Sequence, residues 1–321
     1  MLVIAAVAGM ANAAQAQDIE INETNFPDAN FRAYVSGSTI NKNSDDKLSA
    51  EEIAAVTSMY ISFKNIVELK GIEHFTALTL LDCYNNQLTS LDLSNNTALT
   101  VLYCHNNHLS TLDVSKNTAL TSLGCYSNQL SALELSANTA LKYLDCNFNQ
   151  LSTLDVSANT ALTYLGCTSN QLTTLDVSNN IALTILYCGK NQLTTLDVSK
   201  NTALRGLGCS ENQLTTLDVS KNTALMELGC SDNQLTTLDV SKNTALTILN
   251  CADNQLTTLD LSANTALTEL YCHNNQLTTL YLSNNTALTF VLLFQPNPRR
   301  RDAGIGEQLA DSNERLFPRS L

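Results

Sequence analysis

Cys83, Cys104, Cys125, Cys146, Cys167, Cys188, Cys209, Cys230, Cys251 and Cys272 recur at an unbroken interval of 21 residues. Thiols in such a series can cross-link as disulfides, ligate a soft metal or fill a core. No C-x-x-C pair or nearby histidine cluster supports metal ligation. A fixed period of this length instead marks a solenoid, each period being one lap of the backbone. Successive laps then stack as parallel, in-register strands roughly 4.8 Å apart, whereas a disulfide needs converging Cβ atoms about 3.8 Å apart. The thiols are therefore expected to be free and buried, although an exported chain would by itself favour pairing.

A second set of ligand-type residues lies in NKNSDDKLSAEE, residues 41–52. Asn41, Asn43, Asp45, the carbonyl of Lys47, Ser49 and a bidentate Glu52 fit the spacing of a calcium loop. Asp46 stands where such a loop needs glycine, and the first ligand is not acidic. Weak calcium binding is one reading; the other is that Ser49 and Glu52 form a capping box that opens a helix. No other cofactor is indicated. The sequence has no glycine-rich phosphate loop, no Ser/His/Asp arrangement and no H-E-x-x-H. Its four histidines, His74, His105, His108 and His273, are scattered without an evident base or metal partner. The chain is expected not to be an enzyme.

Each period reads L-T-x-L-x-C-x-x-N-x-L-T-x-L-D-V/L-S-x-N-T-A. The first eleven positions match the leucine-rich repeat template L-x-x-L-x-L-x-x-N-x-L, with cysteine in place of the third leucine. Leu102 and Cys104 are two apart on a strand and so point the same way, into the core. Asn107 and its equivalents from Asn86 to Asn275 turn the chain inward. Their amides are expected to bond backbone groups of the turn and of adjacent coils, which would otherwise be buried unpaired. In the second half of each coil Asp92, Asp113, Glu134, Asp155, Asp176, Asp197, Asp218, Asp239 and Asp260 form another column. Unit charges ~5 Å apart repel by roughly 0.8 kcal/mol in water and several times that in a low-dielectric interior. The column must therefore be solvated: an exposed back edge partly offset by Lys116, Lys200, Lys221 and Lys242, or else a cation-binding ladder.

Four segments follow from this pattern. Residues 1–16 read as the apolar core of a secretory signal ending in Ala14-Gln15-Ala16, with a buried N-terminal helix as the alternative. The first basic residue is Arg32, so a truncated start is expected. Residues 17–77 lack the period and are expected to cap the array. Within them FPDANFRAYV and EEIAAV read as short helices, and Val56, Met59, Ile61, Ile66 and Leu69 fill the inward places of an irregular first coil. Residues 78–290 are ten coils, and 291–321 an aberrant, non-repeating tail. Thirty acidic residues face 17 basic ones, a net charge of −13, which excludes nucleic acid and bare anionic membrane as natural partners. No segment beyond the first residues approaches the ~18 apolar residues of a membrane span, and a monomer is expected.

The units LTVLYCHNNHLSTLDVSKNTAL and LTELYCHNNQLTTLYLSNNTAL closely resemble bacterial 21-residue leucine-rich repeats of the internalin J type, whose stacked thiols form a cysteine ladder. The likeness covers the array, and extends through NFPDANFRAYV and VELKGIEHFTAL to similar secreted bacterial proteins. It implies a curved right-handed solenoid, an α/β repeat that is mostly β, with parallel strands on its concave face and a small, partly helical N-terminal cap. It also implies non-enzymatic recognition, secreted or at a cell surface, often adhesion to host molecules. The tail departs from the family: Leu293 replaces the next cysteine, and there is no L-P-x-T-G wall anchor or C-terminal sorting domain, so truncation or a frameshift is expected.

Residues three before, one before and one after each cysteine point outward from the strand and form three columns on that face. Tyr84, Tyr103, Tyr126, Tyr143, Tyr164, Tyr187 and Tyr271 lie on them, with Tyr60 in the equivalent place of the first coil. His105, His273, Asp82, Asp145, Glu227 and Glu269 accompany them, and Phe148 lies just beyond. Tyrosine is a low-entropy amphipathic anchor, so Tyr60, Tyr84, Tyr103, His105, Tyr126, Tyr143, Phe148, Tyr164 and Tyr187 are the candidate contacts for a protein or glycan ligand. Alternatively, tyrosine covers its neighbours across the strand ladder and the protein is a spacer without a ligand.

Overall fold

The computed structural model describes residues 18–293; the expected signal segment and the tail beyond Leu293 lie outside them. A cap precedes the array. It contains strand β1 (Ile19–Glu20), helix α1 (Ala29–Val35), strand β2 (Lys47–Leu48), antiparallel to β1, and helix α2 (Ala50–Ala55). Asp28 caps α1, accepting the N–H groups of Asn30 and Phe31 at 2.8 Å, while its other oxygen accepts the Val67 N–H at 2.8 Å. One carboxylate thus starts the helix and ties it to the first coil. Phe26, Phe31 and Phe75 are fully buried where the cap seals the end of the solenoid. Gly71, at φ +103°, is required there, because a Cβ would sit 2.3 Å from the ring of Phe26.

Twelve short parallel strands follow in sequence order: β3 (Ser58–Tyr60), β4 (Leu80–Asp82), β5 (Val101–Tyr103), β6 (Ser122–Gly124), β7 (Tyr143–Asp145), β8 (Tyr164–Gly166), β9 (Ile185–Tyr187), β10 (Gly206–Gly208), β11 (Glu227–Gly229), β12 (Ile248–Asn250), β13 (Glu269–Tyr271) and β14 (Phe290–Leu292). Each pairs with the next in register, as Leu102 with Leu123 and Leu123 with Leu144. The first coil behaves as expected, with Met59 opposite Leu81 and with Val56, Ile61, Ile66 and Leu69 all buried. At the other end β14 carries the ladder to Leu292, past the expected boundary at 290, because Phe290, Val291 and Leu292 still occupy strand positions. Among the described residues no helix is long and apolar enough to cross a membrane.

In the coil of Cys104, the side chains of Leu99, Leu102, Cys104, Leu109, Leu112 and Val114 all point into the core. Such burial is worth roughly 1.5–3 kcal/mol for a large apolar side chain, but one coil alone would leave both its flat faces wet, so stability is shared with its neighbours. Two asparagine ladders stitch the polar backbone. Asn107 donates from Nδ2 to the carbonyls of Cys83 and Cys104 at 3.1 and 3.0 Å, and its Oδ1 accepts the Leu88 N–H at 3.0 Å. This is the role its place in the repeat predicts. The second ladder, Asn96 to Asn285, was not foreseen. Asn117, fully buried, donates to the carbonyls of Leu93 and Asn96 at 3.1 and 2.9 Å, bridging to the preceding coil.

Candidate ligand-binding face

All ten cysteines are free and buried. Burial pushes the thiols of Cys104 and Cys209 up to about 12 and that of Cys272, in the last full coil, to about 11. They are chemically quiet packing groups, and what they do for function is geometric: a sulfur turned inward fixes its strand neighbours outward.

Those neighbours form two aromatic groups in the earlier coils, and Tyr271 meets Phe290 at the far end with centroids 5.1 Å apart. In the column after the cysteines, the rings of Tyr84, His105 and Tyr126 stack face to face, with centroids 4.4 and 4.2 Å apart. Phe63 of the first coil closes the stack edge-on at 5.1 Å, and Tyr103 meets His105 edge-on at 6.3 Å. In the column three before the cysteines Tyr143 stacks on Tyr164 at 4.5 Å, and Tyr187 abuts Tyr164 edge-on at 6.0 Å. The in-register ladder causes this, since equal positions in adjacent coils are held about 4.8 Å apart, close to the thickness of stacked rings. The candidate residues are thus brought together, except that Phe148 stands apart and Tyr60 is 59% exposed at the cap end.

Phe148 belongs to a feature the sequence reading missed. The residue two after each cysteine has positive φ, from Asn85 at 51° to Asn274 at 53°, and Phe63 and Phe148 share it at 56° and 53°. Asparagine, serine and aspartate tolerate this left-handed turn; phenylalanine does so at a cost. The predominance of small polar residues at that position was the available signal. Phe63, exposed and in contact with Tyr84, was likewise overlooked because the first coil has one residue more than the rest.

Burial between two phenol rings lowers the His105 imidazole from 6.5 to about 4. An unfolded chain would take up this proton near pH 6.5 while the folded one resists until about pH 4. The contribution of His105 is therefore full above pH 6.5 and lost as pH falls toward 4. Melting curves of the wild type and a His105→Gln variant are expected to diverge in that window, the wild type losing more. Parallel profiles would show that the imidazole is not desolvated.

On the opposite edge, the carboxylate column is exposed as expected. Asp113 and Asp197 accept the N–H of the serine two residues on at 2.9 and 2.8 Å, which holds them below the usual carboxylate range. In the 41–52 loop the capping box is formed: Ser49 Oγ accepts the Glu52 N–H at 3.2 Å and Glu52 Oε2 accepts the Ser49 N–H at 2.9 Å. Glu52 Oε1 accepts the Lys42 N–H at 2.7 Å, and Asn43 and Asp45 bond to each other. The backbone bond from Ser49 is the main cause that lowers the Glu52 carboxyl. A cation entering this loop would have to displace the backbone donors from Glu52. Among the described residues no group of three or more His, Cys, Asp or Glu side chains is placed to hold a metal.

A right-handed coil of parallel strands, with an inward Leu-x-Leu-x-Cys face and an asparagine at each turn, makes this chain a leucine-rich repeat protein. No family profile matches it. Internalin J of Listeria monocytogenes serotype 4b (strain F2365) is 43% identical over 71 residues, which are 22% of this chain and 8% of that protein. The solved functional domain of the Listeria monocytogenes protein, which includes a cysteine ladder, superposes with a TM-score of 0.84 at 41% identity; the match covers 87% of this chain and 62% of that domain. A leucine-rich repeat protein of Leptospira interrogans gives a TM-score of 0.67 at 27% identity over 71% of this chain and 64% of its own. The plant peptide hormone receptor RGFR1, solved in complex with RGF2, gives 0.62 at 25% identity over 70% and 40%. The chain is an internalin J-like leucine-rich repeat protein.

Proposed function

We propose that the protein is a non-enzymatic bacterial recognition module, secreted or displayed at the cell surface, that binds a protein or glycan ligand in adhesion or host interaction. The ligand seats on the concave strand face, over the coils from Tyr60 to Tyr187. The carrying observation is the concentration of aromatic side chains there, where Tyr84, His105 and Tyr126 form one group and Tyr143, Tyr164 and Tyr187 another. The next coils offer Gly206, Gly208, Gly229 and Ser231 in the same columns, and an aromatic pair, Tyr271 with Phe290, returns only at the far end. The same architecture serves as a peptide hormone receptor in RGFR1, solved in complex with RGF2. A structural spacer is the second reading, favoured by the fact that these rings pack on one another as cross-strand pairs do.

The test is a glycan array and a pull-down from host extracellular matrix, repeated with Tyr103, Tyr126, Tyr143 and Tyr164 all replaced by alanine. Interface anchors of this type are each worth about 2 kcal/mol, so the variant should lose binding by a factor of at least roughly 100 while keeping its circular dichroism. A ligand held equally well by the variant would move the site elsewhere, and a spacer would return no specific ligand.

A further inference from the structure

We infer, building on the recognition face just proposed, that its partner is a polypeptide segment presenting arginine or lysine side chains. Between Leu80 and His273 the three outward columns contain no lysine or arginine, yet they contain four carboxylates, of which Asp82, Asp145 and Glu269 are set beside tyrosine along or across the strands. Asp82 on β4 lies in register between Tyr60 on β3 and Tyr103 on β5. Its Oδ1 is buried without a hydrogen-bond partner among the described residues, and burial raises its carboxyl above the ordinary value. Glu269 accepts the Tyr271 hydroxyl at 3.1 Å, and burial, with Glu269 nearby, raises Glu227. Asp145 is sealed, 1% exposed, and takes the Asn147 N–H at 3.2 Å. Three half-buried carboxylates therefore remain on the face, and two of them, Asp82 and Glu227, are short of solvation in a way that a guanidinium or ammonium group would relieve.

The aromatic geometry favours the same occupant. A sugar stacks on the face of an aromatic ring, but the inner faces of Tyr84, His105, Tyr126, Tyr143 and Tyr164 are taken up by one another. Tyr103 is different. Its ring lies over Gly124, where a Cβ would stand 3.0 Å from Cδ1, and its hydroxyl is 3.3 Å from Ser122 Oγ. The ring is thereby laid across the following coil, on the side away from Asp82, and is not engaged face to face by another ring. Asp82 and Glu269 are nine coils apart, ~43 Å, which an extended peptide of about 13 residues would span.

The probe is a fluorescent peptide of about that length in which arginine and serine alternate, titrated against the protein at physiological ionic strength and read by anisotropy. Replacing arginine with citrulline, nearly the same shape without the charge, should abolish binding. Asp82→Asn, Glu227→Gln and Glu269→Gln combined should weaken it at least tenfold. Asp176→Asn, Asp197→Asn and Asp218→Asn combined, which neutralise the back edge but keep its turn acceptors, should leave it unchanged. Equal binding of the citrulline peptide, weakening only by the back-edge variant, or no binding of the arginine peptide would each overturn the inference. If the quadruple tyrosine variant meanwhile loses a matrix or glycan ligand, the recognition face survives and only the cationic partner falls; if that variant loses nothing, the face itself is wrong.

Discussion

Replacement of Asn170 by alanine is expected to cost about 3 kcal/mol or more and to divide the unfolding of the array into two steps. Asn170 lies in the middle of the first asparagine ladder. Its Nδ2 donates to the carbonyls of Cys146 and Cys167 at 3.1 Å and of Thr168 at 3.3 Å, while Oδ1 accepts the Leu151 N–H at 3.0 Å. Alanine strips all of these, and the orphaned groups face a core that water does not reach. Each coil contacts only its neighbours, so a fault at one joint uncouples the two halves. Asn275→Ala, at the far end, removes the same kinds of bond but leaves a long intact array, and should lower the urea midpoint much less. A single transition for Asn170→Ala, with its midpoint unmoved, would mean that the ladder is redundant.

Thiol reactivity should show the second large effect. In the native protein at neutral pH, Ellman's reagent is expected to titrate almost none of the ten cysteines, and in denaturant all of them. Two causes multiply. A thiol held at about 12, as at Cys104 and Cys209, is ionised roughly a thousandfold less often than one at its ordinary value near 9. In addition, the sulfur is reached only when a coil opens. Whatever slow reaction occurs should begin at Cys272, whose thiol is raised least, to about 11, and which is backed only by β14. Rapid modification of several thiols in the middle of the array would refute the inward placement of the cysteine column.

The array was legible because one physical rule repeats in it. The 21-residue interval sets the lap, the alternation around each cysteine sets inside against outside, and Asn107 and its equivalents sit where a buried turn needs an amide. The ladder from Asn96 to Asn285 was as regular in the sequence but was missed, since nothing local distinguishes an asparagine that bonds across coils from one at an exposed turn. Ring stacking was not legible either. The columns of Tyr84, His105 and Tyr126 could be written down, but whether the rings face outward or face each other depends on rotamers and on the empty place at Gly124 that Tyr103 fills. In the cap, the box between Ser49 and Glu52 was readable from spacing alone, whereas the second task of Asp28, holding Val67 some 39 residues away, was not.

The unvarying register of the sheet bears on how such a chain can change over generations. Any whole period removed from the middle brings together two cut ends that match as well as the ones they replace, and any whole period added does the same. Recombination between repeats of the gene would therefore alter reach in steps of ~4.8 Å without creating a faulty joint, whereas a shift of any other size would turn sulfur toward water. The aromatic coils lie next to the cap, so lengthening or shortening of the distal array would leave the contact surface at a constant distance from the capped end of the solenoid.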